Sequence, residues 1–92
     1  MDADQAEAIG LAALGFLASD IQRLGRFLAL TGTGPAELKA QAHSPRMLAA
    51  VLDHLLRDEG LLLVFAASSG IEPTSIGPAH RLLESRQQAD GN

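Results

Sequence analysis

The chain has no cysteine, no tryptophan and no tyrosine, and its only aromatic residues are Phe16, Phe27 and Phe65. Without cysteine there is no disulfide framework, no thiolate metal site and no thiol nucleophile, a usage that fits a reducing cytoplasm. Valine and isoleucine are scarce and no strict two-residue alternation occurs, so nothing signals a sheet. Long apolar runs are missing as well: the longest, Leu61 to Ala67, is far too short to cross a bilayer. The opening "MDADQAEAIG" is acidic where a secretory signal is basic. These absences lead to the expectation of a cytoplasmic protein with no membrane association.

What is present is a helical palette. Apolar residues make up 47% of 92 residues, dominated by leucine and alanine, which is enough for one small domain that must spend most of them on its core. The formal net charge is −4, so the average surface repels nucleic acid and anionic membrane unless a local basic patch overrides it.

The chain also repeats its own punctuation. "LALTGTGPAEL" (Leu28 to Leu38) returns as "AASSGIEPTSI" (Ala66 to Ile76) at an offset of 38 residues, and the same offset pairs Leu17 with Leu55 and Phe27 with Phe65. The paired asparates, glycines and prolines carry physical meaning. Asp20 and Asp58 stand before apolar runs as N-caps, because a short carboxylate accepts bonds from the free N–H groups of a first turn. Gly32 and Gly70 close those helices, since glycine takes a left-handed conformation without strain. Pro35 and Pro73 open the next helices where a missing N–H costs nothing, and Ser44 with Pro45 supplies one more start of that kind.

These signals predict six helices: about Asp4 to Ser19, Ile21 to Thr31, Pro35 to His43, Pro45 to Arg57, Glu59 to Ser69, and a last one from Pro73. Gly77 and Pro78 are expected to break or kink that last helix, leaving Pro78 to about Gln87 as a separate segment, and residues 88–92 read as a frayed tail. The fold class is therefore all-α: a small bundle of five or six short helices built from two helix-corner-helix copies. The expected core is Leu24, Phe27, Leu52, Leu55, Leu62 and Phe65. Ile21, Leu24, Phe27 and Leu28 form the inner stripe of the second helix, and Leu48, Val51, Leu52 and Leu55 that of the fourth. Gly15, Gly25 and Gly60 fall inside helices, at about 1 kcal/mol each relative to alanine unless close helix contacts offset it.

The fifth helix, "LLLVFAA", is apolar on every side: Leu61 and Val64 stand where the first copy has Arg23 and Arg26. Such a helix is either central in its fold or covered by a partner, and central burial is the first expectation. Leu61 and Val64 are the candidate partner or dimer surface if it fails.

"LGRFLALTG" with a proline three residues on, followed by "LAAVLDHLLRDEGLLLVFAASSGIEP", resembles the small bacterial family known as domain of unknown function 3572, found mainly in alphaproteobacteria. The likeness runs from about Ala6 to Ile76 and is most specific at "RFLALTG" and "LDHLLRDE". It implies a helical cytoplasmic protein and brings no activity, cofactor or catalytic residue. In that family the segment after the second proline is a plain helix, whereas here Gly77 and Pro78 intervene.

Chemistry-bearing patterns are weak. A helix-turn-helix is suggested by Ala66, Gly70 and Ile76, and nearly so by Leu28, Gly32 and Leu38, but "PAELKAQAH" offers one Lys against one Glu and "PTSIGPAH" is interrupted. "TGTG" lacks the lysine and preceding strand of a phosphate loop. His43, His54 and His80 show no pairing at helical spacing, so no metal site follows, and His54 is expected half buried with Asp53 and Arg57 on neighbouring turns. Asp58 and Glu59 are adjacent on a helix and diverge, and Ser68 and Ser69 read as helix-end hydroxyls. No catalytic residue and no cofactor is implied. The leading expectation is a non-enzymatic protein-interaction or regulatory adaptor module binding a protein partner or a second copy, with a weak helix-turn-helix DNA binder as the alternative.

Overall fold

The computed structural model describes the backbone over residues 1–90 and side chains over residues 1–86. Six α-helices and one short 3-10 turn occur among the described residues, with no strand. The helices are α1 (Ala3–Ala18), α2 (Ile21–Thr31), α3 (Pro35–Ala40), α4 (Pro45–Leu56), α5 (Glu59–Ser69) and α6 (Ile76–Asp90), and the 3-10 turn, Pro73–Ser75, leads into α6.

Capping chemistry sets these limits. Asp20 accepts hydrogen bonds from the N–H groups of Gln22 and Arg23, Asp58 from that of Leu61, and Ser44 from that of Met47. Gly32 and Gly70 are left-handed, with φ of 69° and 67°, the only positive values among the described residues. Behind each glycine the next residue repeats one bond: Thr33 N–H donates to the Leu28 carbonyl and Ile71 N–H to the Ala66 carbonyl, both at 3.1 Å. The two corners therefore share one backbone geometry. What they deliver differs, because α3 buries no residue while α6 buries Ile76, Ala79 and Leu83. The likeness of the two halves is a likeness of corners.

Helix α4 is the centre. It packs against α1, α2, α5 and α6 and buries Met47, Leu48, Ala49, Val51, Leu52, His54 and Leu55. Ala6, Ala13 and Leu17 of α1, Phe27 of α2, Leu62 and Phe65 of α5 and the three α6 residues complete the core. Helices α1 and α4 approach closely at Gly10, where an added Cβ would stand 2.9 Å from the Cβ of Leu48. No such contact occurs at Gly15 or Gly25, which have nothing within 4 Å, and Gly60 meets only its own Asp58 at 3.7 Å. Among the described residues, no close helix contact offsets the cost of these three glycines.

Further expectations meet a different outcome. Helix α5 is not central: it buries Leu62, Phe65 and Ala66 along one face, while Leu63 and Val64 are 47% and 48% exposed. Apolar composition on every side shows that no face is polar, but it does not supply neighbours for all of them. Gly77 and Pro78 do not break the last helix, because they fall in the first turn of α6, where a prolyl nitrogen has no bond to lose. Helix α3 ends at Ala40 rather than His43; nothing of it is buried, and the chain turns at 41–43 to reach the extended Ser44 that Pro45 requires. Ile21 is 86% exposed instead of inward, since it is the first residue of α2, where nothing covers it. Leu24 and Leu28 are half buried beside the fully buried Phe27. The tail expected to fray at 88–92 is helical through Asp90, and residues 91–92 lie outside the described residues.

Candidate functional site

Two surfaces stand out. The first is the outer face of α5. From residue 60 to residue 71 there is no ionisable side chain, and Gly60, Leu63, Val64 and Ala67 are exposed at helical spacing on the side away from Leu62 and Phe65. Leu63, Ala67, Gly70 and Ile71 continue this face into the α5 corner beside Pro73. Of the two residues singled out from sequence, Val64 lies on the exposed face, whereas Leu61 is half buried against the core. Leu63 was missed. Its repeat partner, Gly25, offers no contrasting charge to draw attention to it.

The second is a groove of about 720 Å³ between α2, α4 and the start of α5, lined by Arg26, Leu30 and Thr31, by Asp53, His54 and Arg57, and by Asp58 and Glu59. Six ionisable residues from three elements thus converge, which linear spacing does not reveal. His54 is deeper than expected, at 8% exposure, and it is the only buried polar or charged residue among those described. Its ring stands edge-on to that of Phe27, with centroids 5.3 Å apart and planes at 80°. Burial pushes the His54 imidazole below its usual 6.5; the Asp58 and Asp53 carboxylates pull the other way and the Arg26 guanidinium adds to the depression. Arg57 Nε donates to Asp53 at 2.8 Å across one turn, and Asp58 is occupied in capping α5.

The remaining candidates stay apart from this groove. His43 is exposed in the turn after α3, and His80 Nδ1 lies 3.4 Å from Glu84 of its own helix. No group of three or more His, Asp or Glu residues suited to hold a metal ion occurs among the described residues. Ser68 donates its hydroxyl to the Phe65 carbonyl, as a helix-end residue does. Arg23 lies over the ring of Phe16 with its guanidinium carbon 4.6 Å from the centroid, and Phe16 in turn tilts against Phe65 at 5.4 Å. This stack ties α2 to α1 and α5.

The helix-turn-helix likeness has a geometric side: α5 and the segment Pro73–Arg86 meet at 111°, within the range of that motif. No single helix among the described residues is long and apolar enough to cross a membrane.

A family model described as protein of unknown function, DUF3572, matches residues 3–86. The chain belongs to this family. The DUF3572 match spans α1 to α5 and α6 as far as Arg86, and agrees with the resemblance carried by "RFLALTG" and "LDHLLRDE". Neither the curated proteins nor the solved structures gave a match.

Proposed function

We propose that this DUF3572 chain works as a non-enzymatic, cytoplasmic protein-interaction module whose contact surface is the outer face of α5. The observation that carries the reading is the half exposure of Leu63 and Val64 on a helix with no charge between residues 60 and 71. Covering the exposed halves of these two side chains is worth roughly 1 kcal/mol each, enough to anchor a modest interface. Ala67 and Gly60 on the same face let a second helix approach closely. Both a protein partner and a second copy of the chain fit such a surface.

The test compares wild type with a Leu63→Lys, Val64→Lys double variant. Sedimentation velocity over a wide concentration range reads self-association, and affinity capture reads other partners. Loss of either signal in the variant supports the reading. A chain that is monomeric throughout, with the same captured proteins from both forms, overturns it.

A second reading, a DNA binder of helix-turn-helix type, draws on the 111° angle and on the unbroken α6, which removes one objection to it. The charges speak against it. Arg86 stands 3.8 Å from Glu7, His80 faces Glu84, and α3 is a six-residue helix with Lys39 beside Glu37. Fluorescence anisotropy with random duplex at low salt separates the two readings.

A further inference from the structure

The limb formed by α2 and α3 buries little, and α2 rests on α1 through Arg23 over Phe16 and on α4 through Phe27. Phe27 is the single buried residue of α2, and α3 has none. Leu24, Leu28 and Leu38 add half-buried contacts. By contrast α1, α4, α5 and α6 each bury three or more residues and contact one another independently of this limb. Elements with so few buried contacts open at a lower cost than the core they rest on.

On the α4 side the limb is pinned by the ring of Phe27 against the ring of His54. Neither nitrogen of His54 bonds to another described residue, and neither is sealed from solvent, so the ring looks into the groove while its body supports Phe27. We infer that His54 is a proton-operated latch, whose neutral ring seats Phe27 and keeps the α2–α3 limb docked, and whose protonated ring releases it.

The physical step is desolvation. An imidazolium needs hydration that a ring so nearly covered finds only in part at the groove and recovers in full only if its surroundings open. The charged groups facing it are Arg26 from α2, Asp53 and Arg57 from its own helix, and Asp58 and Glu59 at the head of α5. Asp53 is engaged by Arg57 and Asp58 by the Leu61 N–H, which leaves the carboxylates partly spent, while Arg26 repels the proton. Release of the limb frees the ring to titrate at its ordinary 6.5, so loosening begins as pH falls through that value.

Hydrogen exchange, corrected for the intrinsic pH dependence of amide exchange, reads the limb directly. Between about pH 7.5 and about pH 5, protection over residues 21–43 should fall, by up to about tenfold for each unit separating the docked and free pKa values, while α1, α4 and α6 keep theirs. His54→Phe keeps an aromatic edge beside Phe27 without a proton to gain, and His54→Gln keeps polarity; both should abolish the pH dependence, and His80→Gln should not. Should neither His54 variant fold, ring NMR of wild type decides: α2 amide shifts must follow the His54 midpoint, below 6.5. Protection that rises in acid shows that attraction of the charged ring to Phe27 and the carboxylates outweighs desolvation and overturns the latch. Uniform loss across all helices, or α2 shifts that do not follow the His54 midpoint, overturns it too.

Discussion

Gly10 of α1 lies against Leu48 of α4 so closely that a Cβ on the glycine would be 2.9 Å from the Cβ of its neighbour. Leu48 is fully buried and sits on the helix that every large part of the core surrounds, so it has little room to retreat. Helix propensity and packing therefore pull in opposite directions at this position. Alanine in place of glycine gains about 1 kcal/mol in a helix interior, whereas overpacking a tight core costs about 1–3 kcal/mol.

Packing should win. Gly10→Ala is expected to lower stability by about 1 kcal/mol net, and Gly10→Val by more, measured as the shift in urea midpoint at constant slope. A Gly10→Ala protein as stable as wild type would show that the α1–α4 contact is looser than the geometry requires.

Gly15 and Gly25 provide the contrast. Both are inside helices with nothing within 4 Å of a built Cβ, and neither has a positive φ. Gly15→Ala and Gly25→Ala should each raise stability by about 0.5–1 kcal/mol, through reduced backbone freedom of the unfolded chain. Thermal denaturation of the single and double variants checks this, and the two gains should add because the sites share no partner.

The difference between these glycines marks the limit of what the sequence carries. Asp20, Gly32, Asp58 and Gly70 act on residues two to five positions away, so α2 and α5 were legible to the residue. Packing is not local in this sense. Nothing near Gly10 in the chain announces Leu48, and although Leu62 and Phe65 were expected in the core, nothing in "LLLVFAA" says that Leu63 and Val64 face outward. Pro78 shows the same limit from the other side: a proline breaks a helix interior and suits a helix start, and only the position of the first turn decides which. The groove at His54 was least legible of all, because Arg26, Asp53 and Glu59 meet there only once α2 docks on α4. The capping box of α1 was legible and went unread: Asp2 accepts from the Gln5 N–H at 2.8 Å, and the Gln5 side chain accepts from the Asp2 N–H at 2.9 Å.

The corners can be tested separately from the core. Asp58→Ala removes the carboxylate that accepts from Leu61 N–H and should cost about 1 kcal/mol, and Asp20→Ala, which loses bonds from Gln22 and Arg23, should cost a similar amount. Gly70→Val should cost more than either, since a β-branched side chain is strained at a φ of 67° even though open space surrounds the position. Chemical denaturation of the three variants checks the order, and a Gly70→Val protein with wild-type stability would remove the left-handed corner from the account.

Stability should also depend on pH through His54, and the sign follows from which state holds the proton more readily. Burial lowers the folded-state pKa below the usual 6.5, so the unfolded chain binds this proton first as pH falls. The contribution of the neutral, buried ring is complete above about pH 6.5 and is lost progressively below it, until the folded-state pKa is reached and the loss levels off. Two carboxylates, Asp58 and Asp53, reduce the loss and Arg26 increases it. Removing Arg26 as Arg26→Gln should therefore raise the His54 midpoint and shrink the loss, whereas Asp58→Asn should lower the midpoint and enlarge it. Urea unfolding at a series of pH values, with the His54 ring followed by NMR, reads both quantities, and a midpoint above 6.5 in the folded wild type would reverse the sign of the whole dependence.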